Sequence, residues 1–264
     1  MKKKIIAANF KMNKTNRDIE KYFNIFVSNM NEFKGKGLFE DIGLNLEAVF
    51  APPLTSLCES YKIIKPYGDF IKLSAQDIYF EKNGAYTGEI SIDMVKDCGC
   101  EYTIVGHSER RRIFNETDET IAKKMSAVYS SEGITPILCV GENKEAREKN
   151  MQYDFVKKQL KTDLEPLKAK SGKVHSLIIA YEPVWAIGTD LPIRPEDGDK
   201  MHRFIYDYVS SNYEVDELRI IYGGSVKESN IKELMDEPYI NGVLVGGASL
   251  DPSVFLNIIR LSNA

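Results

Sequence analysis

The sequence predicts an α/β protein whose eight parallel strands, each followed by a helix, close into a (β/α)8 barrel. Three observations carry that expectation. Short, β-branched, nearly unbroken apolar runs recur along the chain, as expected of parallel strands covered on both faces. Helical patterns fill the gaps, and such alternation builds a parallel sheet through right-handed crossovers. Eight units share 264 residues, about 33 each, a length that suits the closed barrel. The competing open, doubly wound sheet normally carries G-x-G-x-x-G after its first strand. Here that strand leads into Asn9-Phe10-Lys11, with no glycine.

The strands are placed at Lys4–Ala8, Glu47–Ala51, Phe70–Ala75, Tyr102–Gly106, Thr135–Val140, Ser176–Tyr181, Arg219–Tyr222 and Gly242–Val245. After Asn115-Glu116-Thr117, Ile121, Ala122, Met125, Val128 and Tyr129 fall on one helical face, with Gly133 as the stop. Lys144 to Lys170 carries Met151, Phe155, Leu160 and Leu164 at near-helical spacing. Pro195-Glu196 can open another helix, since proline suits the first turn, and Asp251-Pro252 sits near the start of the last. No Pro/Ser-rich linker divides the chain, so residues 1–264 are read as a single barrel domain.

Composition narrows the function classes. With 35 Lys+Arg against 39 Asp+Glu the formal net charge is −4, so a general nucleic-acid binder is not expected. A phosphate must then be held by a local site and not by the overall field. Four cysteines (Cys58, Cys98, Cys100, Cys139) in a chain of this length do not read as a disulfide framework. A reduced, cytoplasmic setting is expected. The Lys-rich start resembles the charged region of a signal peptide, but its apolar stretch stops at Asn9 and Lys11. No window is apolar for the roughly 18 residues a membrane span needs.

The functional signal lies where polar residues follow strands. These are Asn9 and Lys11 after strand one, Gln76-Asp77 after three, His107-Ser108-Glu109 after four, Glu182-Pro183 after six, Gly223-Gly224-Ser225 after seven and Gly246-Gly247 after eight. In a parallel barrel all these ends share one rim. A glutamate there can take a proton from carbon beside a carbonyl, a neutral histidine can donate to the carbonyl oxygen, and a lysine can offset the growing negative charge. Glycine pairs can offer backbone N–H groups to a phosphate. The set describes aldose–ketose isomerisation of a small phosphorylated sugar, which needs no cofactor. No histidine belongs to an H-E-x-x-H pattern, so no metal site is expected.

Plainer readings exist for each residue. Lys11 alone would pass for a surface lysine, and the glycine pairs for tight turns. His175, in a loop, and His202, on a helix, are read as structural, and Cys139 as packing. Glu182 is harder to dismiss, because a carboxylate directly after an apolar strand is costly unless paired or used.

Six segments, in order, settle the preference. Ala8–Asn13, Gly84–Ser91, Gly106–Arg111, Ala180–Thr189, Tyr222–Ser225 and Leu244–Ser249 resemble the triosephosphate isomerases along essentially the whole chain. The resemblance implies the interconversion of dihydroxyacetone phosphate and D-glyceraldehyde 3-phosphate. It makes Glu182 the base and His107 the electrophile, acting as a neutral imidazole as in that family. It puts Lys11 and Asn9 beside the substrate oxygens, and has Glu109 pair with Lys11 or relay within the site. Backbone N–H groups of Gly188, Ser225 and Gly247 would hold the phosphate, with Gly246 shaping the approach. Pro183 to Arg194 would be a lid, hinged at Pro183-Val184-Trp185 and latched by Tyr222 and Ser225. The chain departs from the family in Asp190-Leu191-Pro192-Ile193, where proline restricts itself and its predecessor; that bears on lid motion and not on the chemistry. The polar segment Glu81–Ser91, with Thr87 at its centre, would dock into a second copy, implying a homodimer. Two rivals stand beside this reading: another phosphosugar isomerase or epimerase on the same barrel, and a barrel kept for non-catalytic binding.

Overall fold

The computed structural model describes residues 3–37, 42–168, 174–186 and 193–263. Within them eight strands form one closed barrel: β1 (Lys4–Asn9), β2 (Leu46–Ala51), β3 (Ile71–Ala75), β4 (Cys100–Val105), β5 (Thr135–Val140), β6 (Val174–Tyr181), β7 (Val215–Tyr222) and β8 (Gly242–Val245). Every neighbour pair is parallel, and Ile5 to Ala8 of β1 pair with Gly242 to Val245 of β8 to close the ring. Helices cover the outside, and among the described residues none is long and apolar enough to cross a membrane.

Side chains alternate faces along a strand, and the core splits accordingly. One cluster fills the barrel interior with Ile5, Ala7, Val49, Ala51, Tyr102, Ile104, Ile137, Cys139, Ile178, Ala180, Ile221 and Leu244. A larger one lies between strands and helices, including Ile6, Phe23, Phe50, Leu138, Ile179 and Phe255. Polar groups close the barrel at its strand-start end. Tyr102 donates to Glu47 at 3.0 Å, and Arg219 donates to Ser176 at 3.0 Å.

Local chemistry explains most helix ends. Thr117 caps Asp118–Tyr129 by accepting from the Thr120 N–H, and Asp251 caps Pro252–Leu261 by accepting from Ser253 and Val254. Pro195 opens the helix Pro195–Asn212. Four expectations need correction. The helix begun at Asp118 stops at Tyr129, so Gly133, at φ +77°, turns the chain beyond the helix and does not end it. The pattern from Lys144 is broken by Asn150 at φ +56° into Lys144–Glu148 and Gln152–Asp163, with a short turn Glu165–Lys168 after them. β7 starts at Val215, because Val215 and Glu217 pair with Val174 and Ser176 although the segment is polar. That pairing also puts His175 in β6, exposed, and not in a loop.

The cysteines give the fifth correction. Cys58, on the helix Leu57–Ile64, and Cys98, which caps the helix Ile92–Asp97, are joined as a disulfide with Cα atoms 4.5 Å apart. They stand 40 residues apart in sequence and meet only because neighbouring strands β3 and β4 bring their helices side by side. Cys100 and Cys139 are free and buried.

His202 shows what a buried structural histidine does. It lies on the inner face of Pro195–Asn212 between the rings of Tyr181 and Tyr222, and its Nδ1 contacts the Gly198 carbonyl at 2.8 Å. Burial drives its pKa down from 6.5 to about 4, with the backbone of Gly198 and Ile221 opposing weakly. The unfolded chain then binds a proton between these values that the folded chain refuses. The contribution is therefore intact above about pH 6.5 and lost as pH falls through about 4, on the order of 3 kcal/mol in all. His202→Gln is expected to flatten the pH dependence of urea stability across that window. Parallel slopes in variant and parent would contradict it.

Candidate active site

Strand parity, carried to the last residue of β1 and one residue past the ends of β6, β7 and β8, builds the site. Asn9 continues the inward series Ile5, Ala7, and Glu182 continues Ile178, Ala180. Gly223 and Gly246 do the same after Ile221 and Leu244. These residues meet in a cavity of about 340 Å³ at the strand-exit mouth, whose walls also include Lys11, His107, Ser225, Lys227 and Gly247. A larger hollow of about 690 Å³ lies under Tyr79–Asn83 and is walled by aromatic, serine and lysine side chains. It carries Glu81 and Asp93 beside Lys82 and Lys123 but no histidine and none of the strand-end residues, whereas the smaller cavity brings Glu182, His107 and Lys11 together.

Glu182 is only 2% exposed. Its Oε2 accepts the Ser108 backbone N–H at 2.8 Å, and its Oε1 lies 3.1 Å from His107 Nε2. Burial pushes its carboxyl upward, but His107 and Ser108 outweigh burial and hold it below the usual value. Glycines make the room. A Cβ at Gly223 would sit 2.9 Å from the Glu182 Cγ, and one at Gly141 would sit 1.7 Å from the Glu182 carbonyl oxygen.

His107 caps the helix Ser108–Ile113, its Nδ1 accepting the Glu109 N–H at 3.2 Å. That bond leaves the ring proton on Nε2, pointing at Glu182. Burial disfavours a charged ring, but the Glu182 carboxylate, with Glu109 adding to it, turns the net direction upward. The upward pull thus belongs to Glu182 resting on the ring.

Lys11 adopts φ +51°, a left-handed conformation costly for a residue with a Cβ. It is held there from both sides: its N–H donates to Asn9 Oδ1 at 2.9 Å, and its carbonyl accepts from Gln76 Nε2 at 2.9 Å. Its ammonium meets Glu109 at 2.7 Å. A Cβ at Gly246 would lie 3.3 Å from the Lys11 Cε, so that glycine keeps the lysine's path open. Gly247 is exposed at the mouth and has no crowding neighbour.

Of the segment expected to form the lid, Pro183 to Ala186 and Ile193-Arg194 are described; Gly188 and Asp190-Leu191-Pro192 lie outside the described residues. Val184–Ala186 forms one 3-10 turn. The Ser225 hydroxyl donates to the Ala186 carbonyl at 3.4 Å, a long contact. The Tyr222 phenol is driven up by burial, with the Ile193 backbone drawing it weakly down; its hydroxyl faces Ile193 without a well-formed hydrogen bond. Thr87 is exposed on the outer loop, away from this cavity's walls.

A family model described as Triosephosphate isomerase matches residues 4–262. The chain belongs to the triosephosphate isomerase family. The triosephosphate isomerase of Aquifex aeolicus (strain VF5) is 46% identical over 259 residues, covering 97% of this chain and 98% of that protein. That of Dictyoglomus thermophilum is 43% identical over 263 residues, covering 98% and 100%. That of Alkaliphilus oremlandii (strain OhILAs) is also 43% identical over 263 residues, with the same coverage. Within this family's barrel, the chain presents Asn9, Lys11, His107, Glu182, Ser225, Gly246 and Gly247 around one cavity, with Glu109 joined to it through Lys11.

Sequence reasoning missed Glu142. It stands two residues past the end of β5, after Gly141 and on the outward parity of Leu138 and Val140, so it lacks the direct junction of strand and carboxylate that marks Glu182. Glu142 is fully buried, and accepts from the Tyr181 hydroxyl at 3.0 Å and from the Trp185 indole N–H at 2.7 Å. Its backbone carbonyl accepts the Val184 N–H at 3.2 Å. Burial lifts its carboxyl, opposed by those donors. Lys227, lining the cavity mouth, was also missed, since one lysine after a glycine pair carries no distinguishing pattern. Glu142→Leu strands the two buried donors of Tyr181 and Trp185. It is expected to cost about 2–4 kcal/mol in urea unfolding and to shift the emission of Trp185, the single tryptophan. Unchanged stability and emission would mean the hinge does not depend on this carboxylate.

Proposed function

We propose that this chain interconverts dihydroxyacetone phosphate and D-glyceraldehyde 3-phosphate through an enediolate. The reading is supported above all by one observation: a buried carboxylate, an imidazole with its proton on Nε2 and an ammonium face one small cavity. In this reading Glu182 removes the proton from C1 of dihydroxyacetone phosphate and returns it to C2. To reach carbon, its carboxylate leaves Ser108 and His107. The upward pull on the imidazole goes with it, and burial at the start of the helix Ser108–Ile113 favours the neutral ring. His107 Nε2–H then donates to the oxygen that gains charge, and Lys11 offsets that charge. Asn9 fixes Lys11 through its backbone, and Glu109 aligns the ammonium. Backbone N–H groups of Gly188, Ser225 and Gly247 receive the phosphate, while Gly246 leaves room for Lys11. Pro183 to Arg194 covers the bound enediolate, with Val184 and Trp185 at the hinge and Tyr222 and Ser225 as the latch, which keeps water from it.

We also propose a homodimer. Met12, next to Lys11, is 97% exposed. The loop bearing Thr87 projects on a brace of Tyr79, Phe80 and Tyr86, with Tyr79 centroids 4.2 and 4.9 Å from the other two. A second copy would cover both features. Sedimentation equilibrium is expected to give twice the mass of one chain, and Thr87→Arg to shift it toward one. A monomer in both cases would remove the dimer.

A coupled assay with D-glyceraldehyde 3-phosphate tests the function. Turnover is expected, and Glu182→Asp is expected to lower kcat on the order of 10²-fold, because its carboxylate is retracted by about 1 Å. No turnover by folded protein would favour a rival phosphosugar enzyme or a binding barrel. Near-normal kcat in Glu182→Asp would remove Glu182 as the base.

A further inference from the structure

The segment Gly106–Arg111 ends in two arginines that the proton transfer leaves without a part. We propose that Arg111 is a positioning residue that sets the distance between His107 and Glu182; the proposal rests on reading those two as the reacting pair. Arg111 leaves the helix Ser108–Ile113 and turns back under the rim. Its Nε donates to the Gly106 carbonyl at 2.7 Å, and its Nη2 donates to the Cys139 carbonyl at 3.0 Å. The first carbonyl belongs to the residue before His107. The second belongs to the residue before Val140, whose own carbonyl accepts the Glu182 N–H at 2.8 Å. One rigid planar group therefore ties the peptide entering the imidazole to the end of β5, the strand whose last carbonyl holds the Glu182 N–H.

The group is itself fixed. Asp163, fully buried, accepts from Nη2 at 2.6 Å, and Asp118 accepts from Nη1 at 2.5 Å. Gly106, at φ +70°, makes space, since a Cβ there would sit 3.0 Å from Arg111 Nη2. Lysine offers one compact charge and no fork, so it cannot hold two carbonyls and two carboxylates at once. Arg110, by contrast, joins Asp77 at 2.9 Å and Glu116 at 2.7 Å, a separate cluster that contacts neither carbonyl.

The test compares Arg111→Lys, Asp163→Asn and, as a control, Arg110→Lys. Each variant is assayed for kcat, KM, thermal midpoint and the proton resonance of His107 Nε2–H. In Arg111→Lys, kcat is expected to fall about tenfold or more while KM stays within about threefold, because the phosphate contacts are untouched. The His107 resonance is expected to move. Asp163→Asn should show the same split more weakly, and Arg110→Lys should not. Parental kcat in folded Arg111→Lys overturns the proposal, as does a loss that follows the thermal midpoint with the His107 resonance unmoved. Should Arg111→Lys not fold, parental kcat and resonance in Asp163→Asn overturn it instead. Absence of turnover in the parent would strike the proposed function separately, and the resonance would still report the positioning.

Discussion

The contact between the Glu182 carboxylate and the His107 imidazole is the constraint from which the site follows. A carboxylate this deeply buried cannot stand alone, since its desolvation would exceed what folding can spare. It is tolerated because the Ser108 N–H and His107 Nε2 hold it at 2.8 and 3.1 Å. Both partners come from the start of one short helix, where N–H groups are free to donate. The same helix start supplies the Glu109 N–H that keeps His107 Nδ1 an acceptor. A single structural feature thus keeps the Glu182 carboxyl ionised and leaves the His107 proton on Nε2. Because the carboxylate is satisfied without substrate, it can stay charged and ready in the resting molecule.

The barrel delivers that contact by parity. Alternate residues of each strand face inward, and the series runs through the last residue of β1 and one residue past the ladders of β6, β7 and β8. Glu182, Asn9, Gly223 and Gly246 are the next inward positions after Ala180, Ala7, Ile221 and Leu244. Apolar residues, from alanine to tyrosine in size, fill the interior below them. Above them stand either a functional side chain or a glycine that leaves it room. Lys11 differs, reaching the mouth through a left-handed backbone held by Asn9 and Gln76. Its conformation is costly and is over-determined by two hydrogen bonds, as strained residues at working sites usually are.

Most of this was legible in the sequence, because strand ends are marked by the switch from apolar to polar residues. Thr135–Val140 and Gly242–Val245 were placed to the residue, and the others lay within a few positions. β7 was cut short because its first turns of strand are polar and only pairing with β6 reveals them. The Cys58–Cys98 bond was invisible because spacing says nothing about which helices lie together. Glu142 was less legible: Gly141 separates it from β5 and places it on the outward parity, where a carboxylate draws no notice, and its buried partners emerge only in the fold. Glu142 is spent on Tyr181 and Trp185, whereas Glu182 faces an open cavity. Arg111 shows a subtler gap. Sequence marks the arginine but cannot show that its fork spans two carbonyls from different strands.

Glu142 and Glu182 therefore divide a single problem. One buried carboxylate fixes the chain where it leaves β6, by tying Val184 and Trp185 to β5. The other, in the proposed reaction, lets go of its partners and touches carbon. Solvent exchange at that carbon tests this most directly. Dihydroxyacetone phosphate is incubated in heavy water with the parent chain and with Glu182→Gln, and the C1 protons are followed by nuclear magnetic resonance. Deuterium entering C1 with the parent and not with Glu182→Gln is the expected result. Equal exchange in both would mean that another group moves the proton, and the account built on Glu182 would fail.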